Sequence, residues 1–183
     1  MSKIPVVKVI QFTSTAFIYP IFKNGYTSLR NYAERNKCKI LLNEQVNRCN
    51  TITVYIREPM QRFISGVNTY TYFEQQKDPT LDNDVILNKI KNKTVMDEHF
   101  MPQFDWINRL GKYFDFWIEF VNVEELMKLI PDRGGPPVPT ITDERKQKIS
   151  SLNFDLSNDY VIWNEWMNKR VNIKDFIDVL SKA

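Results

Sequence analysis

Cysteine and histidine are nearly missing from this chain. Two cysteines, Cys38 and Cys49, stand among 183 residues, which excludes a disulfide-stapled scaffold and a zinc site built from cysteine alone. One histidine, His99, narrows metal chemistry further, and no metal is expected. Five glycines and nine prolines fall well short of collagen-like or low-complexity composition. No stretch approaches the ~18 consecutive apolar residues of a membrane span, and the N-terminal Met-Ser-Lys-Ile-Pro lacks a signal-peptide apolar core. The expectation is therefore a soluble cytoplasmic protein without a membrane partner. Net charge is only +3, too little for a nucleic-acid partner but compatible with a local pocket for an anion. What the chain does have is apolar material, 43% hydrophobic and 13% aromatic, enough for the core of a single domain spanning residues 1–183.

The first half reads as strand–loop–helix twice over. Ala16 to Phe22 is an apolar run of strand length, interrupted by Pro20, and Lys23-Asn24-Gly25 breaks it. Thr27 or Ser28 then offers a hydroxyl cap to a helix whose Leu29, Tyr32 and Ala33 recur at helical spacing. Thr51 to Ile56 is β-branched or aromatic throughout and predicts a strand. Arg57-Glu58-Pro59 ends it, and Pro59 suits the first turn of a helix from Met60 to about Tyr72 that buries Phe63, Ile64, Val67 and Tyr70. This order argues for an α/β fold, a central, mainly parallel sheet flanked by helices.

Farther along, Leu81 to Lys91 carries a helical apolar face and Tyr113 to Val121 reads as a third strand. Asn122 caps a following helix with Glu124 and Glu125 near its positive end. Pro131 to Pro139 is too broken for regular structure. Tyr160, Trp163, Trp166 and Phe176 anchor helices in the tail, and the aromatics as a group read as core.

Two segments carry chemistry. Phe22-Lys23-Asn24-Gly25-Tyr26-Thr27-Ser28 runs from a strand through a glycine loop into a helix, presenting backbone N–H groups and a helix dipole to an anion. Its lysine precedes its only glycine, so it is not a Walker loop. Alone, it reads first as a short turn with an exposed lysine. The second segment, Arg57 to Gly66, puts Arg57, Arg62 and Ser65 at the next strand's C-terminal edge, where open α/β sheets bind ligands. Alone, its arginines read equally as solvated helix-end charges.

Together and in this order, the two segments resemble the signature regions of sulfotransferases that use 3′-phosphoadenosine 5′-phosphosulfate (PAPS), especially the carbohydrate branch. Two later pieces are also similar to that family: Asp97-Glu98-His99-Phe100-Met101-Pro102-Gln103, and the Tyr113–Glu119 strand with Glu124-Glu125-Leu126 after it. The sequence departs from the pattern after Ser65, where Gly66-Val67 precede Asn68 and the next tyrosine is Tyr70.

The resemblance implies a sulfotransferase fold akin to P-loop nucleotide-binding folds, and a donor site formed by Lys23, Asn24, Gly25, Tyr26, Thr27 and Ser28 at the 5′-phosphosulfate and by Arg57 and Ser65 at the 3′-phosphate. It gives Lys23 the charge on the leaving oxygen, and the product nucleotide is 3′-phosphoadenosine 5′-phosphate (PAP). The acceptor is a hydroxyl, with an amine ranked second, and a glycan is one candidate carrier. His99 is the candidate general base, being the only residue whose ordinary pKa lies near neutrality. A structural histidine is the competing reading, with Glu58, Asp97 and Glu98 as alternative bases. Two further readings stay open: a nucleotide- or phosphate-binding module or kinase-like enzyme without sulfuryl transfer, and a noncatalytic interaction domain.

Overall fold

Strand residues that alternate between two faces need apolar cover on both, and the chain supplies it with helices. The computed structural model describes residues 7–42, 45–46, 49–130 and 138–181. Among these, β1 (Lys8–Gln11), β2 (Phe17–Tyr19), β3 (Lys39–Leu42), β4 (Thr51–Ile56), β5 (Trp117–Asn122) and β6 (Arg170–Asn172) form one sheet in the order β3-β1-β2-β4-β5-β6. The helices are α1 (Tyr26–Arg35), α2 (Pro59–Lys77), α3 (Asn83–Lys91), α4 (Gln103–Tyr113), α5 (Val123–Leu129), α6 (Asp143–Ser150), α7 (Ser157–Val161) and α8 (Ile173–Leu180). A π-helical turn, Ile162–Trp166, continues α7.

The sheet is mixed rather than mainly parallel. Its centre, β2 beside β4 beside β5, is parallel. Both margins are antiparallel, β1 pairing with β2 and β3, and β6 with β5. The antiparallel margins escape a local reading because β1, β3 and β6 are only three or four residues long.

On one face Val9, Ile52, Val54, Ile56, Ile118 and Phe120 are fully buried against Ile107 and Leu110 of α4 and Ile173 and Phe176 of α8. Each such side chain contributes ~1.5–3 kcal/mol of transfer free energy. The opposite face sets Ile10, Ile18 and Tyr55 against Leu29 and Ala33 of α1 and Leu126 of α5. A third cluster joins Phe63 and Val67 of α2 to Ile86, Leu87 and Ile90 of α3 and Ile149 of α6.

Several boundaries shift for physical reasons. The first parallel strand stops at Tyr19, because Pro20 has no N–H to donate and the chain turns over Phe22–Gly25. Helix α1 begins at Tyr26 behind Gly25, not behind Thr27 or Ser28. Helix α2 runs on to Lys77, with Ile64 and Tyr70 only half-buried. Tyr113 ends α4 instead of opening a strand, and the third parallel strand starts at Trp117. Asn122 caps α5, its Oδ1 accepting the Glu124 N–H at 2.9 Å. Of the tail aromatics Phe176 is fully buried, whereas Tyr160 is exposed. The Pro131–Pro139 loop lies outside the described residues except for its last two. No described helix is long and apolar enough to cross a membrane.

Gly66 decides how α2 meets the segment before α4. A Cβ there would overlap the His99 carbonyl and sit 2.9 Å from the Phe100 Cα. Gly66→Ala gains ~1 kcal/mol of helix propensity, but backbone cannot step aside as a side chain can, so the overlap outweighs the gain. A net loss of about 1–3 kcal/mol is expected in urea denaturation. Gly111→Ala is the control, since its Cβ would meet the end of the Ile177 side chain. It should cost clearly less; equal losses would show that the His99 backbone yields freely.

Candidate functional site

The loop after β2 holds two left-handed residues in three, Lys23 at φ 67° and Gly25 at φ 78°. Glycine is required at position 25 twice over, because a Cβ would also lie 2.6 Å from Leu126 Cδ2. Lys23 has no such licence and stands in a conformation that costs a side-chain-bearing residue ~1–2 kcal/mol. Helix α1 then starts with no side-chain cap and no acidic residue in its first turn, so no carboxylate of its own offsets the positive end of its dipole.

The loop after β4 is arranged differently. Glu58 caps α2, accepting the N–H groups of Met60 (3.1 Å) and Gln61 (2.6 Å), and Tyr160 donates to the same carboxylate at 3.0 Å. Glu58 is thus a triply engaged acceptor that caps α2. Glu98 pairs with Arg109 on the surface.

A single amide ties the two loops together. Gln103, fully buried at the start of α4, accepts at Oε1 from Asn24 Nδ2 (2.6 Å) and from the Arg57 N–H (2.9 Å). Its Nε2 donates to the Arg57 carbonyl at 3.0 Å. Asn24 also donates to the Tyr55 carbonyl at 2.8 Å. The Asn24 side chain is therefore scaffold, corrected from a donor-contacting role: it is 1% exposed and its amide protons are spent inside the protein.

Arg62, buried in α2, donates to the carbonyls of Phe22 (3.2 Å) and Met101 (2.6 Å), joining the Lys23 loop to the His99 segment. Pro102 cannot cap α4 with its side chain, and buried Asp159 does so from a distance, accepting the N–H groups of Gln103 and Phe104 at 2.8 Å each.

In front of this scaffold lies a cleft of about 820 Å³. Lys23, Gly25 to Ser28, Arg57, Ser65 and His99 all line it; of the expected site residues only Asn24 stands behind the wall. Lys23 Nζ donates to Thr69 Oγ1 at 2.6 Å. Burial, with Arg57 and Arg62 adding like charge, pushes the Lys23 ammonium down to about 8. Burial, with Arg57 again, lowers Arg62 to about 10, against the pull of Asp159. Among the described residues neither Lys23 nor Arg62 has an ion-pair partner. The cleft thus sets Lys23, Arg57 and the first turn of α1 around one space, with buried Arg62 behind its wall.

His99 lies 2.6 Å through Nδ1 from Asp97 Oδ1, which also accepts its backbone N–H at 2.9 Å. Its ring is flanked by Phe22 and Phe73, with centroids 5.2 and 5.7 Å away. Sequence reasoning missed Thr69 and Phe73, although Gln61, Ser65, Thr69 and Phe73 repeat every four residues and all face the cleft. Trp163, expected as core packing, packs partly on the core and also lines the cleft. No three His, Cys, Asp or Glu side chains among the described residues gather as a metal site.

No protein-family model, curated protein or solved structure matches the chain.

The Lys23 ammonium makes a pH prediction. Its pKa is about 8 folded against an ordinary 10.5, so between these values the unfolded chain holds a proton that the folded chain has released. Stability from this group therefore rises with pH across that window, and the penalty is full below about pH 8. Urea denaturation of wild type and Lys23→Met at pH 7, 9 and 10.5 should show wild type gaining on the variant as pH rises. A constant difference would mean that Lys23 keeps its ordinary affinity for the proton.

Proposed function

We propose that this chain is a PAPS-dependent sulfotransferase acting on an acceptor hydroxyl. The observation that carries the reading is the convergence of Lys23, the Gly25–Ser28 turn, Arg57, Ser65 and His99 on one cleft. These are the residues that the resemblance marks, drawn from three separate stretches of chain. The parallel β2–β4–β5 centre, with both anion loops at strand C-terminal ends, supports it as well.

In this reading the first turn of α1 and Lys23 hold the phosphosulfate, while Arg57 and Ser65 hold the 3′-phosphate. The acceptor oxygen forms a bond to sulfur as the bond between sulfur and the bridging phosphate oxygen breaks. The acceptor's proton passes to His99, and PAP leaves with its new negative charge opposite the Lys23 ammonium. That charge exists fully only late in the step, so Lys23 stabilises the transition state more than the ground state.

Binding comes first. PAP should raise the melting temperature more than ATP does, because a ligand stabilises the state that binds it. Arg57→Ala should weaken PAP by about 1.5–3 kcal/mol in calorimetry and leave adenosine 5′-phosphosulfate, which lacks the 3′-phosphate, nearly unchanged. Equal losses for both nucleotides would remove Arg57 from the 3′ site.

Turnover separates the enzyme from a binding module. With labelled PAPS and a panel of hydroxyl acceptors, Lys23→Ala should lower kcat by about 10²–10³-fold with a smaller change in donor affinity. PAP binding without transfer to any acceptor would favour a nucleotide-binding module, and no PAP binding would refute the donor site.

A further inference from the structure

We infer that Asp97 is a positioning residue for His99: it fixes the imidazole as the Nδ1–H tautomer, so that Nε2 carries the lone pair that the cleft can use. The role assigned to that lone pair, taking the acceptor's proton, rests on the sulfotransferase reading; the tautomer itself does not.

The geometry leaves little freedom. Asp97 Oδ1 stands 2.6 Å from His99 Nδ1 and also accepts the His99 backbone N–H at 2.9 Å, so ring and main chain are bound to one oxygen. A carboxylate is an acceptor only, so Nδ1 must be the donor. A neutral imidazole has one N–H, and placing it on Nδ1 strips Nε2 of its proton. The backbone beneath is held as well. The Asp97 carbonyl accepts the N–H groups of Phe100 (3.1 Å) and Met101 (2.9 Å), and Gly66 of α2 lies directly against the His99 carbonyl. Phe22 and Phe73 flank the ring.

The arrangement also suits the charge that forms. When Nε2 takes a proton the imidazolium lies against an anion already in contact, and no carboxylate has to move. Asp97 stabilises the ion by position.

His99 is the only histidine in the chain, so a ¹⁵N-labelled protein shows a single imidazole spin system and the tautomer can be read directly. Two-bond ¹H–¹⁵N correlation spectra of the wild type above neutral pH should show protonated Nδ1 and unprotonated Nε2. In Asp97→Ala the ring should drift toward the Nε2–H form that free histidine prefers in water. Asp97→Asn keeps an acceptor oxygen, so it should retain the Nδ1–H tautomer while losing the anion. An Nε2–H tautomer in the wild type, or an unchanged spectrum in Asp97→Ala, would overturn the inference.

Activity supplies the second arm. Both variants should lose kcat, by up to the about 10²–10⁴-fold that a positioned base contributes, with PAP affinity held. If the wild type proves to be Nδ1–H yet transfers no sulfuryl group, the enzymatic reading fails and the positioning stands. If transfer is seen and Asp97→Ala keeps full kcat, the positioning role is wrong and the enzyme stands.

Discussion

One carboxamide holds the site in register. Gln103 spends three hydrogen bonds on two loops that the sheet alone would leave independent, pairing with Arg57 through both its main-chain N–H and its carbonyl. Its remaining bond draws in Asn24, and through Asn24 the Tyr55 carbonyl. Buried bonds of this kind are worth ~0.5–1.5 kcal/mol each net, but an orphaned partner costs ~1–3 kcal/mol. The network therefore acts as a constraint more than as a reservoir of stability. Any relative slip of the Lys23 and Arg57 loops would strand several buried polar groups at once. Arg62 applies the same logic to the other side of the cleft, spanning the Phe22 and Met101 carbonyls with one guanidinium.

Such rigidity is what a concentration of like charge requires. Lys23, Arg57 and Arg62 repel one another in a partly dehydrated setting, and Lys23 also holds a left-handed backbone. The strain persists because Asn24 and the Phe22 carbonyl, on either side of Lys23, are fixed from behind. The left-handed turn and the dehydrated ammonium are thus local costs that the surrounding scaffold carries.

Much of this was legible one stretch at a time. Thr51–Ile56 announces a strand by composition, Pro59 its following helix, and Asn122 its cap, because each signal lies within a few residues of its effect. The cleft-lining residues were legible because the chain puts Lys23, Arg57 and Ser65 at strand–loop–helix junctions, on the sheet edge where open α/β folds bind ligands. What stayed hidden depends on partners far along the chain. Asn24 looks like a loop residue until Gln103, 79 positions away, takes its amide. The short strands β1, β3 and β6 exist only through their neighbours' ladders. Phe73 was concealed by a helix end placed at Tyr72, which cut short its four-residue repeat with Gln61, Ser65 and Thr69.

The remote cap on α4 has a consequence for the order in which the protein is made. Gln103 can face the two loops only if α4 starts where it does, and the groups that satisfy its first N–H donors belong to Asp159, 56 residues later. Contacts that span so much chain close late, after the entropy of the intervening loop has been lost. On the ribosome, β2, β4 and both loops emerge well before residue 159. A nascent chain can therefore pair β2 with β4 before the residue that caps α4 has been made.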